Sequence, residues 1–274
     1  MAEDPTTPDA TGARPGTLEL ALLTFLCMLP VTLVVPVLKG LVRDKFETGD
    51  FGVSLFMSIN MIAAVIFGPF SGVLSKRISP RISIPLMLAA DAILFAGLSL
   101  TSTWNTFVVL RFLEGAAHIG ALSILLGLCA EISRRQVGRD GRLMGIVGAA
   151  LTLGVAAGPP LGGKIGAEDP IAVFRFGAGL AATAAVFGFL ILRKLPTLET
   201  VPGQDKPAVF QLARERKRLL LPFLFAFCDR FTVGFFVTSF PLYLATCHEV
   251  PSARIGLLLA LFLLLPFALL CYPA

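Results

Sequence analysis

Arg111, Glu114 and His118 fall within one short stretch, RFLEGAAH, near the start of an apolar run from Phe107 to Cys129. A guanidinium, a carboxylate and an imidazole at this spacing can form ion pairs and exchange protons near neutral pH. On a helix advancing about 100° per residue, these three and Gly115 share a face about 100° wide. Glu114 can then pair with Arg111 three residues before it or with His118 four residues after it. A charge at the centre of a bilayer costs about 2.5–3.5 kcal/mol on insertion scales. The face is therefore expected to line a hydrated cavity and to avoid lipid.

Other polar groups sit in apolar surroundings. Asp229 and Arg230 lie about 11 residues into a later run, roughly 15 Å deep at 1.5 Å per residue. Asp229 is a second candidate for carrying a proton. Asp91 is midway along another run, as a proton or substrate group or as a hydrogen-bond partner of a neighbouring helix, and Asn60 is expected to bond between helices. Enzyme chemistry has little to work with. There is no HExxH or GxSxG arrangement, the histidines are His118 and His248, and no GxxxxGK[ST] phosphate loop occurs. Cys27, Cys129, Cys228, Cys247 and Cys271 form no CxxC pair, which argues against a zinc site or a disulfide framework. No metal and no cofactor are expected.

The elements that must hold these groups are set by composition. Of 274 residues, 55% are hydrophobic and 15% charged, and the mean hydropathy is +0.82. Soluble domains carry about 25% charged residues, so lipid is the expected solvent. Eight segments are long and apolar enough to span it: 18–38, 51–74, 82–101, 107–130, 143–163, 171–192, 219–245 and 255–274. The net charge of +5 is not gathered in a stripe, so nucleic acid is not an expected partner. The loops after the second, fourth and sixth segments carry 14 Lys and Arg, against 5 in the loops after the first, third, fifth and seventh. That asymmetry places the even-numbered loops and the N-terminus in the cytoplasm.

The chain divides into a disordered cytoplasmic tail (1–16), a six-helix bundle (17–192), a charged, Pro-containing linker (193–218) and two further helices (219–274). A repeat supports the division. Pro36-Val37-Leu38 corresponds to Pro241-Leu242-Tyr243, Gly52 to Gly256, and Pro69 to Pro273. The last two helices thus look like a second copy of the first two. A six-helix first copy implies a six-helix second one, so the chain is expected to be a fragment or a truncated product.

Three motifs carry a family resemblance. GPFSGVLSKRISPR (68–81) resembles the G-x-L-x-D-R-x-G-R-R/K loop of the major facilitator superfamily through Gly72, Leu74, Arg77 and Arg81. Lys76 stands where that family has Asp, and Ser79 where it has Gly. RFLEG resembles the family's fourth-helix signature, with Arg111 and Gly115 in place. GVAAGPPLGG resembles its fifth-helix signature G-x-x-x-G-P-x-x-G-G at every fixed position: Gly154, Gly158, Pro159, Gly162 and Gly163. Glycines every fourth residue bare one helix face for close packing, and Pro159 removes a backbone donor and permits a bend.

The resemblance implies an all-α integral membrane protein with the major-facilitator fold: a complete N-terminal six-helix bundle and the first two helices of a C-terminal one. It implies secondary active transport by alternating access. The fifth-helix signature further implies proton-coupled efflux of a small molecule of the drug/proton antiporter kind. Arg111 would take part in proton coupling, and the 68–81 loop would act as a gate whose usual Asp latch is replaced by Lys76. The expected partners are protons, a small-molecule substrate and the bilayer of a cytoplasmic or plasma membrane, with the protein monomeric. An importer, or a truncated membrane protein that does not transport, remains an alternative reading, and an intramembrane enzyme or a sensor a more distant one.

Overall fold

The computed structural model describes residues 15–135, 141–194 and 220–270, and all regular structure among them is helical. Eight α-helices follow in order: α1 (Thr17–Leu33), α2 (Gly49–Arg77), α3 (Pro80–Leu100), α4 (Trp104–Arg135), α5 (Arg142–Ile165), α6 (Ala172–Leu192), α7 (Leu220–Cys247) and α8 (Ser252–Leu270). α1 to α6 are long and apolar enough to cross a membrane, with mean hydropathy from 1.5 to 2.4 over their most apolar windows. In α7 and α8 the apolar stretches, Phe231–Cys247 and Ser252–Leu264, are shorter. This is a multi-pass membrane architecture. Most of the 1–16 tail and of the 193–218 linker lies outside the described residues.

Local sequence accounts for the boundaries. Pro36 cannot continue the hydrogen-bond ladder of α1, and the chain passes through a 3-10 turn (Val35–Val37) and a π-helical turn (Lys39–Asp44) before α2. The first expected segment, 18–38, corresponds to one apolar span, Thr17–Val37, whose helix changes type near its end. At the other end of α2, the helix runs through Arg77 to an extended Ile78, and α3 opens on Ser79 and Pro80. Proline suits a first helical position because the N–H it lacks has no intrahelical partner there. The expected 75–81 loop thus shrinks to two residues, and most of it is helix.

α1 packs on α5 and α6, α2 on α4, and α3 on α4 and α6, while α8 packs on α5. Two apolar cores fill the six-helix body. One gathers Leu23, Leu88, Leu125, Val147 and Leu192. The other gathers Leu33, Val53 and the rings of Phe56, Phe95, Phe107 and Phe174. Phe56 stacks on Phe107 with ring centres 5.1 Å apart, and Phe174 meets Phe107 edge-on at 5.7 Å. Along α3 the cores end at Leu88 and resume at Phe95; along α4 they end at Phe107 and resume at Ala121. The intervals hold Asp91, Arg111, Glu114 and His118. The ionisable residues thus form a layer between two oily halves.

α7 and α8 meet the six-helix body at the end that carries the phenylalanine core. Ser252 donates to the carbonyl of Gly163 at 2.9 Å, and Arg43 donates to Thr246 at 3.0 Å while pairing with Asp50 at 3.1 Å. Removing the hydroxyl in Ser252→Ala is expected to lower stability by about 0.5–1.5 kcal/mol, the net value of one such hydrogen bond. Thermal unfolding in detergent checks this. A change of 3 kcal/mol or more would mean that the contact carries far more than one hydrogen bond.

Candidate functional site

Arg111 and Glu114 lie one turn apart on the face of α4 that α2 covers. Their exposures are 1% and 0%. The Arg111 Nη1 donates to Glu114 Oε2 at 2.7 Å, a charge-assisted bond within one helix. α2 closes over the pair with two residues four apart. Asn60 Nδ2 donates to the same Oε2 at 2.6 Å, and the Phe56 ring lies under the Arg111 guanidinium, 4.6 Å from its centre. The close approach requires Gly115. A Cβ there would stand 2.6 Å from the backbone oxygen of Asn60 and 2.9 Å from its Cα. One missing side chain lets the two backbones touch, and that contact brings the Asn60 amide to the carboxylate.

A second pair lies on the neighbouring flank of α4. His118 Nδ1 stands 3.7 Å from Asp91 Oδ2 of α3, close enough for an ion pair but too long for a hydrogen bond. Exposures there are 5% and 1%. Of the two pairings open to Glu114, the one with Arg111 is formed; His118 faces α3 and Asp91, while Glu114 faces α2 and Asn60. Glu114 Oε1, Arg111 Nε, His118 Nδ1 and both Asp91 oxygens are buried without a hydrogen-bond partner. Buried polar groups are ordinarily satisfied. Five exceptions cluster here, three on α4 and two on α3.

This layer is enclosed between helices in this conformation. A cavity of about 280 Å³ reaches α4 at Ala116 and Gly120; it is lined by Phe67, Phe70, Leu74 and Met87, and Arg111, Glu114 and His118 are not among its lining residues. In the expected gate segment, Leu74 and Arg77 border that cavity, Arg77 is exposed, and Arg81 lies half-buried in the first turn of α3. Gly72 and Lys76 belong to α2, with surroundings outside the described residues, as do the side chains of Asp229 and Arg230 in α7.

The fifth-helix glycines pack as their spacing requires. A Cβ on Gly154 would stand 2.7 Å from the carbonyl oxygen of Phe25, and one on Gly158 would stand 3.0 Å from that of Leu29. One on Gly162 would overlap the carbonyl of Leu33. These three residues seat α5 against α1. Gly163 turns the other way: its added Cβ would overlap Ser252 of α8, and one on Gly256 of α8 would overlap the carbonyl of Pro159. α5 is thus pressed between α1 and α8, with Pro159 buried inside a continuous helix. Among the described residues, no group of three or more His, Cys, Asp and Glu is arranged to hold a metal ion.

Sequence reasoning missed Phe56 and the partner of Asn60. Their spacing of four within an apolar run was the available signal, since it puts a ring and an amide on one helix face.

Comparison with known proteins agrees with this architecture. A family model described as Major Facilitator Superfamily matches residues 20–273. The class D tetracycline resistance protein of Salmonella ordonez is 26% identical over 198 residues, covering 70% of this chain and 48% of that protein. Multidrug resistance protein MdtG of Serratia proteamaculans is 28% identical over 186 residues, covering 66% and 44%. The class B tetracycline resistance protein of Escherichia coli is 28% identical over 177 residues, covering 62% and 41%. The chain spans about half the length of the curated relatives it matches.

Proposed function

We propose that this chain, which belongs to the Major Facilitator Superfamily, is the N-terminal part of a monomeric, proton-coupled exporter that moves a small molecule by alternating access. Residues 17–192 make the first bundle and 219–274 open the second, with the 193–218 linker and the N-terminus in the cytoplasm. The α5–α8 seam and the Arg43–Thr246 contact then lie at the outer end. The conformation is closed there, as an exporter awaiting cargo from inside would be.

One observation carries this reading: the Arg111–Glu114 pair, with the Asn60 amide bonded to it, is sealed midway between two apolar cores. A charge-neutral packing would serve a static bundle more cheaply, because desolvating an ion pair costs several kcal/mol per ion. A group that must lose and regain its charge has a use for that place. Glu114 Oε2 holds two donors while Oε1 has none. A proton can therefore join Oε1 without displacing an existing bond. Asp91 and His118 are the nearest stations from which it could come. Arg111 would hold the ionised form and compete with the proton. Asp229, with Arg230 beside it, is the corresponding candidate in the second bundle.

The substrate class proposed is a drug-like amphiphile, supported by the tetracycline and multidrug resistance proteins among the relatives. Accumulation of tetracycline and of ethidium in drug-sensitive bacterial cells tests the proposal. Cells expressing the full-length transporter of which this chain is the proposed N-terminal part should accumulate less of at least one, and Glu114→Gln should abolish the difference. Equal accumulation with and without that full-length protein, for a panel of such compounds, would remove the exporter reading.

A further inference from the structure

We propose that Asn60 is a positioning residue that reports the charge of Glu114 to α2. The inference rests on the reading that Glu114 takes the proton, and it adds how that event leaves the site. Among the described residues, the Asn60 amide is the side-chain hydrogen-bond donor that α2 offers to the buried carboxylate, at 2.6 Å. Its position is fixed by backbone contact with Gly115, so it cannot follow the carboxylate if the helices part. Phe56, one turn earlier, holds the Arg111 guanidinium on the same face. α2 is thus attached to the charged layer at two points, both of which depend on charge. A hydrogen bond to an ionised acceptor is roughly twice as strong as one to a neutral acceptor.

The step balances simply. A proton from the aqueous phase forms one O–H bond at Glu114 Oε1; no heavy-atom bond changes, and the proton later departs to water on the opposite side. With Glu114 neutral, the Asn60 bond weakens and Arg111 loses its counter-charge. α2 is then held to α4 mainly by packing. Arg111 on its own helix and Asn60 from α2 bond Glu114; the titratable groups whose charge also reaches it are His118 on α4 and Asp91 on α3, with the Cys27 thiol of α1 near Asp91. Of these, only Asn60 belongs to the helix that continues, 17 residues on, to Arg77 and the turn into α3. Protonation in the buried layer is therefore relayed to the turn at the end of α2.

Infrared titration of the protonated Glu114 carboxyl band, assigned by its loss in Glu114→Gln, tests this in the full chain in lipid nanodiscs. Asn60→Leu and Asn60→Ala remove a donor that favours the ionised form. They should move the midpoint to higher pH by about one to two units, the equivalent of a charged hydrogen bond. A residue that merely fills space would change thermal stability and leave the midpoint alone. An unmoved midpoint in a folded Asn60 variant overturns the inference while leaving Glu114 as the proton site. A carboxyl that never protonates overturns both. If neither Asn60 variant folds, amide exchange decides. Exchange across residues 56–64 should be severalfold faster in Glu114→Gln than in the wild type, and equal rates would contradict the proposal.

Discussion

Arg111→Ala is expected to destabilise the helix bundle by about 3–5 kcal/mol, the cost of leaving one half of a buried ion pair without its partner. The expectation follows from where the pair lies. Neither side chain has appreciable contact with solvent. Glu114 Oε2 would keep only the Asn60 donor, and Phe56 would lose the cation above its ring. Glu114→Ala should fall in the same range, with the guanidinium now the stranded ion. The double variant Arg111→Met, Glu114→Leu should recover most of the loss, because apolar residues of similar volume often replace a buried pair with little cost. Thermal or denaturant unfolding of the three variants in one lipid gives the comparison. A single variant within about 1 kcal/mol of the wild type would place water, and not protein, around the pair.

Gly162→Leu is expected to cost about 3 kcal/mol, the upper end for overpacking, and to separate α5 from α1. The Leu33 carbonyl of α1 occupies the space a Cβ would need, and two backbones cannot yield as a flexible side chain can. Gly158 and Gly154 meet α1 in the same way, so the whole face has no slack. Gly145→Leu on the same helix is the control. Open space surrounds that position, and its cost should stay near 1 kcal/mol or below, that of exchanging a surface residue. Cross-linking between cysteines placed on α1 and α5 separates a displaced helix from a generally weakened bundle. Equal effects at 145 and 162 would mean that the glycine spacing does not seat α5 on α1.

Much of this was readable before any coordinates. Among the described residues, length and hydropathy place the six spanning helices and the two with shorter apolar stretches, because a bilayer demands about 20 apolar residues and tolerates few charges among them. The α5 glycines announce a close neighbour, and one is found at each of Gly154, Gly158 and Gly162. What a periodicity cannot give is the identity of the neighbour. The 100° wheel groups Arg111, Glu114 and His118 on one face, yet α2 claims Glu114 and α3 claims His118. That assignment depends on the crossing of three helices, which Gly115 sets by admitting the α2 backbone. For the same reason the sequence suggests a cavity where the structure has a sealed layer: polarity within an oily run signals enclosure, and a single conformation decides whether water or protein encloses it. The change of helix type after α1 and the helical course of 68–77 were hidden by similar limits. A proline marks where a ladder fails but not which turn replaces it, and a cluster of basic residues can end a helix or extend it.

Vesicle-internal pH during tetracycline entry tests the central claim most directly. Inside-out vesicles containing the full-length transporter that includes this chain, with no other proton pathway, should lose internal protons as the drug accumulates. In Glu114→Gln and Asp229→Asn that coupled pH change should be abolished in one variant or both. Undiminished proton movement in both variants, with drug uptake intact, would contradict an account in which these two carboxylates exchange protons for cargo.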